Sequence, residues 1–128
     1  MNSHRVGDIA EAHVLAALSE RYQAVLIPFG NGQRYDFVVD TGESFLKVQV
    51  KNGRLRKGCV VFNSRSVSSQ YNAGYEGQID FFAVWCPETK KVYMIPIEKV
   101  TSQKPYLRVD PLKTNRTQGI VYASSYEV

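Results

Sequence analysis

Residues 34–51 read RYDFVVDTGESFLKVQVK, and the reading of this stretch decides the fold. Two β-rich runs, 34–39 and 45–51, flank Asp40-Thr41-Gly42-Glu43-Ser44, which is turn chemistry. The spacing predicts an antiparallel hairpin. Alternate residues of a strand share a face, so Gln49 and Lys51 stand on one side of the second strand, with Leu46, Val48 and Val50 on the other. If Val39 lies opposite Phe45 or Leu46, Asp36 falls opposite Val48 or Gln49. An acid, an amide and a lysine then converge where a divalent metal can sit.

Upstream of the hairpin, residues 5–22 are expected to form a helix, with Ser3 or His4 ahead of it. Gly7, Glu11, Val14, Leu15, Leu18 and Tyr22 recur at spacings of three and four and make one stripe, apolar except at Glu11. A carboxylate on an inward face is costly unless it is paired, protonated or bound to a cation, the alternative being a helix-edge Glu that reaches solvent. Gly7, one turn earlier, permits close approach of the backbone. His13 has no second His at a metal spacing and reads as a surface or packing residue. Residues 24–29, AVLIPF, form a short strand that Pro28 ends or keeps at an edge. Gly30-Asn31-Gly32-Gln33 is a loop, and no GK[ST] follows that would make it a phosphate cradle.

Downstream, Cys59-Val60-Val61-Phe62 is expected as the third strand of a meander, after a basic turn. Residues 63–78 are rich in Ser, Asn and Gly, with Arg65, Tyr71 and Tyr75 among them. They read as a long loop suited to phosphate and sugar contacts, or as a plain surface loop. Residues 79–86, IDFFAVWC, are a nearly continuous apolar run and thus a buried strand. Pro87-Glu88-Thr89-Lys90 turns into a partner strand, 91–96, and Pro96 opens a single helical turn. Short peripheral strands are expected at 106–109 and 119–123, separated by a polar loop. The aromatic hairpin 79–96, with Phe81, Trp85, Tyr93 and Met94, reads mainly as core and otherwise as an interface between copies.

The chain has 128 residues, 44% of them hydrophobic, which fits one folded domain, 1–128, and excludes a disordered chain. The net charge of +4 is unevenly spread. Between Phe45 and Tyr75 lie Lys47, Lys51, Arg54, Arg56, Lys57 and Arg65 without one Asp or Glu, which suits an anionic partner or a solvated loop. Cys59 and Cys86 sit in apolar runs without metal spacing, so no zinc site is expected and the setting is a reducing one. The N-terminus is polar and no apolar run nears 18 residues. Neither a signal peptide nor a membrane contact is therefore expected, and the location is cytoplasmic, close to nucleoid DNA.

Glu11 on a first helix, Asp36 at the start of one strand and Gln49-Val50-Lys51 at the end of the next resemble the PD-(D/E)XK nuclease superfamily. The likeness is greater to a branch of small endonucleases that includes a cyanobacterial intron-encoded homing endonuclease. It is carried by GDIAEAHVLAAL, IPFGNGQRYDFVVD, FLKVQVK and DFFAVWCPETKKVYMIPIE, and covers about residues 6–98. The resemblance implies an α/β, restriction-endonuclease-like core: an N-terminal helix packed on a central mixed β-sheet with an antiparallel meander. It implies Glu11, Asp36, Gln49 and Lys51 as catalytic residues. Gln49 stands where the superfamily usually carries an acid, and this branch also has Gln there. The superfamily helix after the third strand would be short, late or replaced by loop at 64–78.

The chemistry that goes with this pattern is metal-assisted phosphodiester hydrolysis. Asp36, Glu11, the Gln49 side-chain oxygen and the Val50 carbonyl are the expected ligands of Mg²⁺, with Mn²⁺ as a substitute. Lys51 is expected to orient the attacking water and to stabilise charge on the phosphate. Arg34, Arg54, Arg56, Lys57, Arg65 and Tyr75 are the expected DNA contacts. Cutting both strands of a duplex calls for a homodimer or homotetramer. A homing-type endonuclease on double-stranded DNA, a Holliday-junction resolvase on branched DNA and a DNA-binding module with a decayed nuclease site are the competing readings.

Overall fold

A computed structural model describes residues 2–65, 74–110 and 120–128. Helix α1 spans Ser3–Arg21. Strands follow at β1 (Ala24–Leu26), β2 (Phe37–Asp40), β3 (Phe45–Asn52), β4 (Arg54–Arg56), β5 (Cys59–Val61), β6 (Phe81–Cys86), β7 (Lys91–Pro96) and β8 (Tyr106–Arg108). Single 3₁₀ turns lie at Ile97–Lys99 and Ala123–Ser125.

The central hairpin forms with Val39 opposite Leu46 and Phe37 opposite Val48, a register that brings Asp36 level with Gln49. Asp40 Oδ1 accepts from the Gly42 N–H at 2.8 Å and Thr41 Oγ1 from Ser44 N–H at 3.0 Å, so the turn is built by the Asx and Thr side chains anticipated for it. The other edge of β3 is not taken by Cys59–Val61. It pairs in parallel with β6, Gln49 against Phe82 and Lys51 against Val84, and β7 closes the sheet in the order β1-β2-β3-β6-β7. The expected third meander strand instead belongs to a second sheet, ordered β4-β5-β8. The physical reason lies at Gly53. Its N–H donates to Trp85 O at 2.7 Å, and a Cβ there would stand 2.8 Å from Val84 and 3.0 Å from Val60. The chain leaves the large sheet where only glycine fits, and a new sheet starts.

The large sheet is covered on both faces. Phe37, Val39, Val48, Val50, Ala83, Trp85, Val92 and Met94 pack under Ala10, Val14 and Leu18 of α1. Phe82, Val84, Cys86, Tyr93 and Ile95 pack against Val60, Phe62, Tyr75, Leu107 and Ala123. Strand β6 is therefore apolar at every position, which is why its sequence shows no alternation. Trp85, Tyr93 and Met94 are core, and Phe81 is partly buried against it. Cys59 and Cys86 are free and buried.

Several boundaries differ from expectation. The helix cap is Asn2, whose Oδ1 accepts from Arg5 N–H at 2.9 Å, rather than Ser3 or His4. The buried stripe is Ala10, Val14 and Leu18, with Glu11 at its margin. Gly7 is exposed, with open space around the position of a Cβ. The first strand stops at Leu26, before Pro28. Pro96 precedes its 3₁₀ turn instead of opening it. Near 119–123, Tyr122 makes one bridge to Arg108 and the chain turns into 3₁₀ at Ala123, so no peripheral strand forms over the described part. The loops expected at 66–73, including Tyr71, and 111–118 lie outside the described residues, as does Gly119. No helix among the described residues is long and apolar enough to cross a membrane.

Candidate active site

Where β2 and β3 begin to part, Asp36 replaces the ladder. Its N–H donates to Val48 O at 2.8 Å, and its Oδ2 accepts from the Val50 N–H at 2.8 Å. The carboxylate thus satisfies a strand donor that would otherwise be left without a backbone partner. Glu11 reaches the same point from α1 and is hydrogen-bonded to Asp36. Burial, then the Asp36 charge and hydrogen bond, then the Asp8 charge, push the Glu11 carboxyl up to about 7. Asp36 is also raised, by burial, against the lowering effect of the Val50 N–H, Glu11 and Lys51. Two carboxylates in contact and partly out of water do not both ionise readily, which raises both groups.

Gln49 stands level with this pair. One end of its amide lies 3.2 Å from Asp36 Oδ2 and 2.6 Å from Arg34 O. Both neighbours are acceptors, so the nitrogen occupies that end and donates to both. A half-turn of the amide puts its oxygen at the same point, beside two other oxygens. Together with the two carboxyls this is a hard oxygen-donor set of the kind that holds Mg²⁺ or Mn²⁺. Among the described residues, no group of three or more His, Cys, Asp or Glu side chains is placed to hold a metal ion by itself. A cleft of about 570 Å³ opens above Asp8, Glu11 and Asp36, walled by the loop through Pro28, Gly30 and Gln33. Asp8 was not singled out from the sequence, although its i, i+3 spacing to Glu11 was the available signal.

Lys51 lies on the far side of the strand from Val50. Burial, partly opposed by Asp36 and reinforced by Arg34, lowers its ammonium from 10.5 to about 8. Its Nζ donates to Arg65 O at 3.1 Å and to Tyr75 Oη at 3.4 Å, and stands 4.8 Å from the centroid of the Tyr75 ring. The Arg34 guanidinium lies over the same ring at 4.0 Å and donates to Gly74 O at 2.8 Å. Tyr75 is 5% exposed and packs edge-on against Phe82. It is a core residue that faces two cations, where a DNA contact was expected; its place between Phe82, Lys51 and Arg34 is tertiary and leaves no local trace. Arg34 and Arg65 are likewise half-buried beside Lys51, whereas Arg54, Arg56 and Lys57 are exposed. His13 stacks on Trp85, with ring centroids 3.6 Å apart, which accounts for it as a packing residue.

The helix acid, the strand acid and the Q-x-K strand end thus meet in one region. The sequence pattern of the PD-(D/E)XK endonuclease family matches residues 1–128. The chain belongs to this family. PD-(D/E)XK nucleases generally use divalent metal ions, in keeping with the oxygen donors gathered here. Among solved structures, the chain is similar to a bacterial homing endonuclease, I-Ssp6803I. The two share 22% identity, with a TM-score of 0.73, over 98% of this chain and 86% of that one. It also matches a Holliday junction resolvase from the archaeal hyperthermophile Archaeoglobus fulgidus, at 17% identity and a TM-score of 0.48, over 80% of this chain and 83% of that one. No curated protein matches the chain. The helix-on-mixed-sheet, restriction-endonuclease-like fold is shared with the homing endonuclease over nearly the whole chain.

Proposed function

We propose that this PD-(D/E)XK endonuclease is a Mg²⁺-dependent DNA endonuclease that hydrolyses phosphodiester bonds in double-stranded DNA, as a homing endonuclease does, with Mn²⁺ able to substitute. The observation that carries the proposal is the contact between Glu11 and Asp36 at the parting of two strands, within the electrostatic reach of Lys51. A fold gains nothing from holding two desolvated carboxyls together; a cation site does. This is also the argument against a decayed DNA-binding module.

Asp36 is the principal ligand in this proposal, with Glu11 beside it and the Gln49 amide oxygen and Val50 carbonyl as neutral donors. A cation held by these residues would supply Lewis acidity toward the phosphate and a water of lowered pKa. Asp36 keeps its orientation through the Val50 N–H, which fixes its Oδ2 beside Glu11. Lys51 supplies positive charge for the developing phosphorane-like oxygens and a donor to orient the water. With Gln in place of an acid, the protein brings little negative charge, so DNA phosphate is needed for tight cation binding. Duplex cleavage takes two such centres, which implies a symmetric homodimer or homotetramer. The protein then acts on intracellular DNA.

The test is cleavage of linear duplex, flap and four-way-junction DNA with Mg²⁺, Mn²⁺ or EDTA, by the wild type and Asp36→Ala. Metal-dependent duplex cutting that Asp36→Ala abolishes while retaining DNA binding is expected. Preference for the junction would reassign the substrate to branched DNA; near-normal turnover by Asp36→Ala would sink the mechanism.

A further inference from the structure

The second sheet has an outer face that the site described above does not use. Its strands run in register: Arg54, Val61 and Tyr106 form one row, Leu55, Val60 and Leu107 the next, and Arg56, Cys59 and Arg108 the third. Directly opposed residues share a face and successive rows alternate. The middle row faces inward, with Val60 and Leu107 fully buried and Leu55 packed on the same core. The two outer rows therefore place Arg54, Arg56 and Arg108 together on the solvent side, beside Tyr106, which is 53% exposed. A groove of about 370 Å³ runs along this face, lined by Arg54, Arg56 and Lys104 with Asn52 and Asn63, over a floor of Val61 and Phe62.

No carboxylate lines that groove among the described residues. Asp110, the acid at this end of the sheet, packs its side chain over Gly58 in the β4–β5 turn. Arg108 lies flat, donating from Nε to Asp110 O at 2.9 Å and from Nη1 to Cys59 Sγ at 3.4 Å, neither of which is an anionic group. Like charges gathered on one short sheet repel unless an anion lies across them. The face is also continuous with the active strand. Asn52 follows Lys51 in β3, and Gly53 turns the chain into β4. Arg54 thus lies about 10 Å of extended chain beyond Lys51, at roughly 3.3 Å per residue.

We propose that the outer face of the β4-β5-β8 sheet is a DNA-backbone track: Arg54, Arg56, Lys104 and Arg108 hold the phosphates flanking the one at the active site, and Asn52, Asn63 and Tyr106 contact sugars or bases. The proposal rests on the DNA-endonuclease reading and adds the path of the substrate to it. Four cations, two amides and an exposed ring on and beside one short sheet are what a polyanion with hydrogen-bonding edges requires. The track makes Lys104, Arg108 and Tyr106 substrate residues, although they stand far along the chain from the catalytic motif.

The experiment measures duplex DNA affinity with EDTA present, as a function of salt, for three proteins. These are the wild type, the triple variant Arg54→Gln/Arg56→Gln/Lys104→Gln, and a control, Arg21→Gln/Lys90→Asn/Lys99→Gln, which removes the same charge from exposed positions elsewhere. Counterion release predicts that the triple variant loses about 2.7 from the slope of log K against log salt, and about 100-fold in affinity at about 0.15 M salt. The control should keep the wild-type slope. An unchanged slope in the triple variant, or an equal loss in the control, overturns the track while leaving the nuclease reading standing. A wild type that binds no duplex DNA overturns both.

Discussion

Glu11→Gln should make the protein more stable at pH 8 while removing its activity. Glutamine keeps the length of the side chain and a donor for Asp36, but cannot ionise. In the wild type, the folded state holds the Glu11 proton up to about 7, whereas the unfolded chain releases it near 4.5. Between those values the folded state binds more protons than the unfolded one, so stability falls as pH rises through the window and the loss is complete above it. The raised Asp36 works in the same direction. For a group sealed from water, 4.5 to about 7 corresponds to roughly 3.4 kcal/mol at about 1.36 kcal/mol per pH unit. Glu11 is half-buried, and solvent screening reduces this to about 1–2 kcal/mol. In a domain of this size that is roughly 3–8 °C in Tm. The assay is thermal unfolding of both proteins with EDTA at pH 4 and at pH 8. The variant should melt with the wild type at pH 4 and above it at pH 8. Mg²⁺ or Mn²⁺ should then raise the wild-type Tm at pH 8 more than that of the variant, because a ligand stabilises in proportion to its affinity for the folded state. Equal Tm values at pH 8, or a variant less stable there than the wild type, would refute the reasoning that burial beside Asp36 makes the ionised Glu11 costly in the folded state.

Three further outcomes follow from neighbouring residues. Gln49→Glu puts a carboxylate oxygen about where the amide nitrogen now meets Asp36. It should lower Tm in EDTA and tighten Mn²⁺ binding by calorimetry, and insensitivity of both would mean that Gln49 is no ligand. Tyr75→Leu removes the ring that faces Lys51 and Arg34, and should lower kcat by about 10-fold or more with DNA affinity little changed; Tyr75→Phe keeps the ring and should retain most of kcat, so equal losses in both would remove the ring from the account. Gly53→Ala forces a methyl into Val84 and Val60 and should cost about 1–3 kcal/mol in denaturant unfolding.

The hairpin was legible and its register was narrowed to two neighbouring pairings, Val39 opposite Phe45 or Leu46; burial of Val39 on the same face as Val48 and Val50 selects Leu46. Asp36, Gln49 and Lys51 came with that register. The parallel union of β3 and β6 was not legible, since a strand buried on both faces carries no mark of its direction. That is why Cys59–Val61 was expected beside β3. Gly53 held the clue, but an isolated glycine after a strand reads as a turn unless its neighbours in space are known. The basic run divided in the same way. Arg54 and Arg56 share a face by alternation, but Arg108, Lys104 and Tyr106 join them only through β5–β8 pairing, and Arg34 and Arg65 turn inward toward Lys51.

The most direct test of the central claim is end-sequencing of a complex long-DNA library after incubation with Mg²⁺, using the wild type and Lys51→Ala at equal DNA occupancy. A long library allows even a rare site to register. The account predicts discrete cut ends with the wild type, lost in EDTA and lost in Lys51→Ala. Cut ends that persist in Lys51→Ala or in EDTA, or a wild type that binds the library and cuts nowhere, would contradict it.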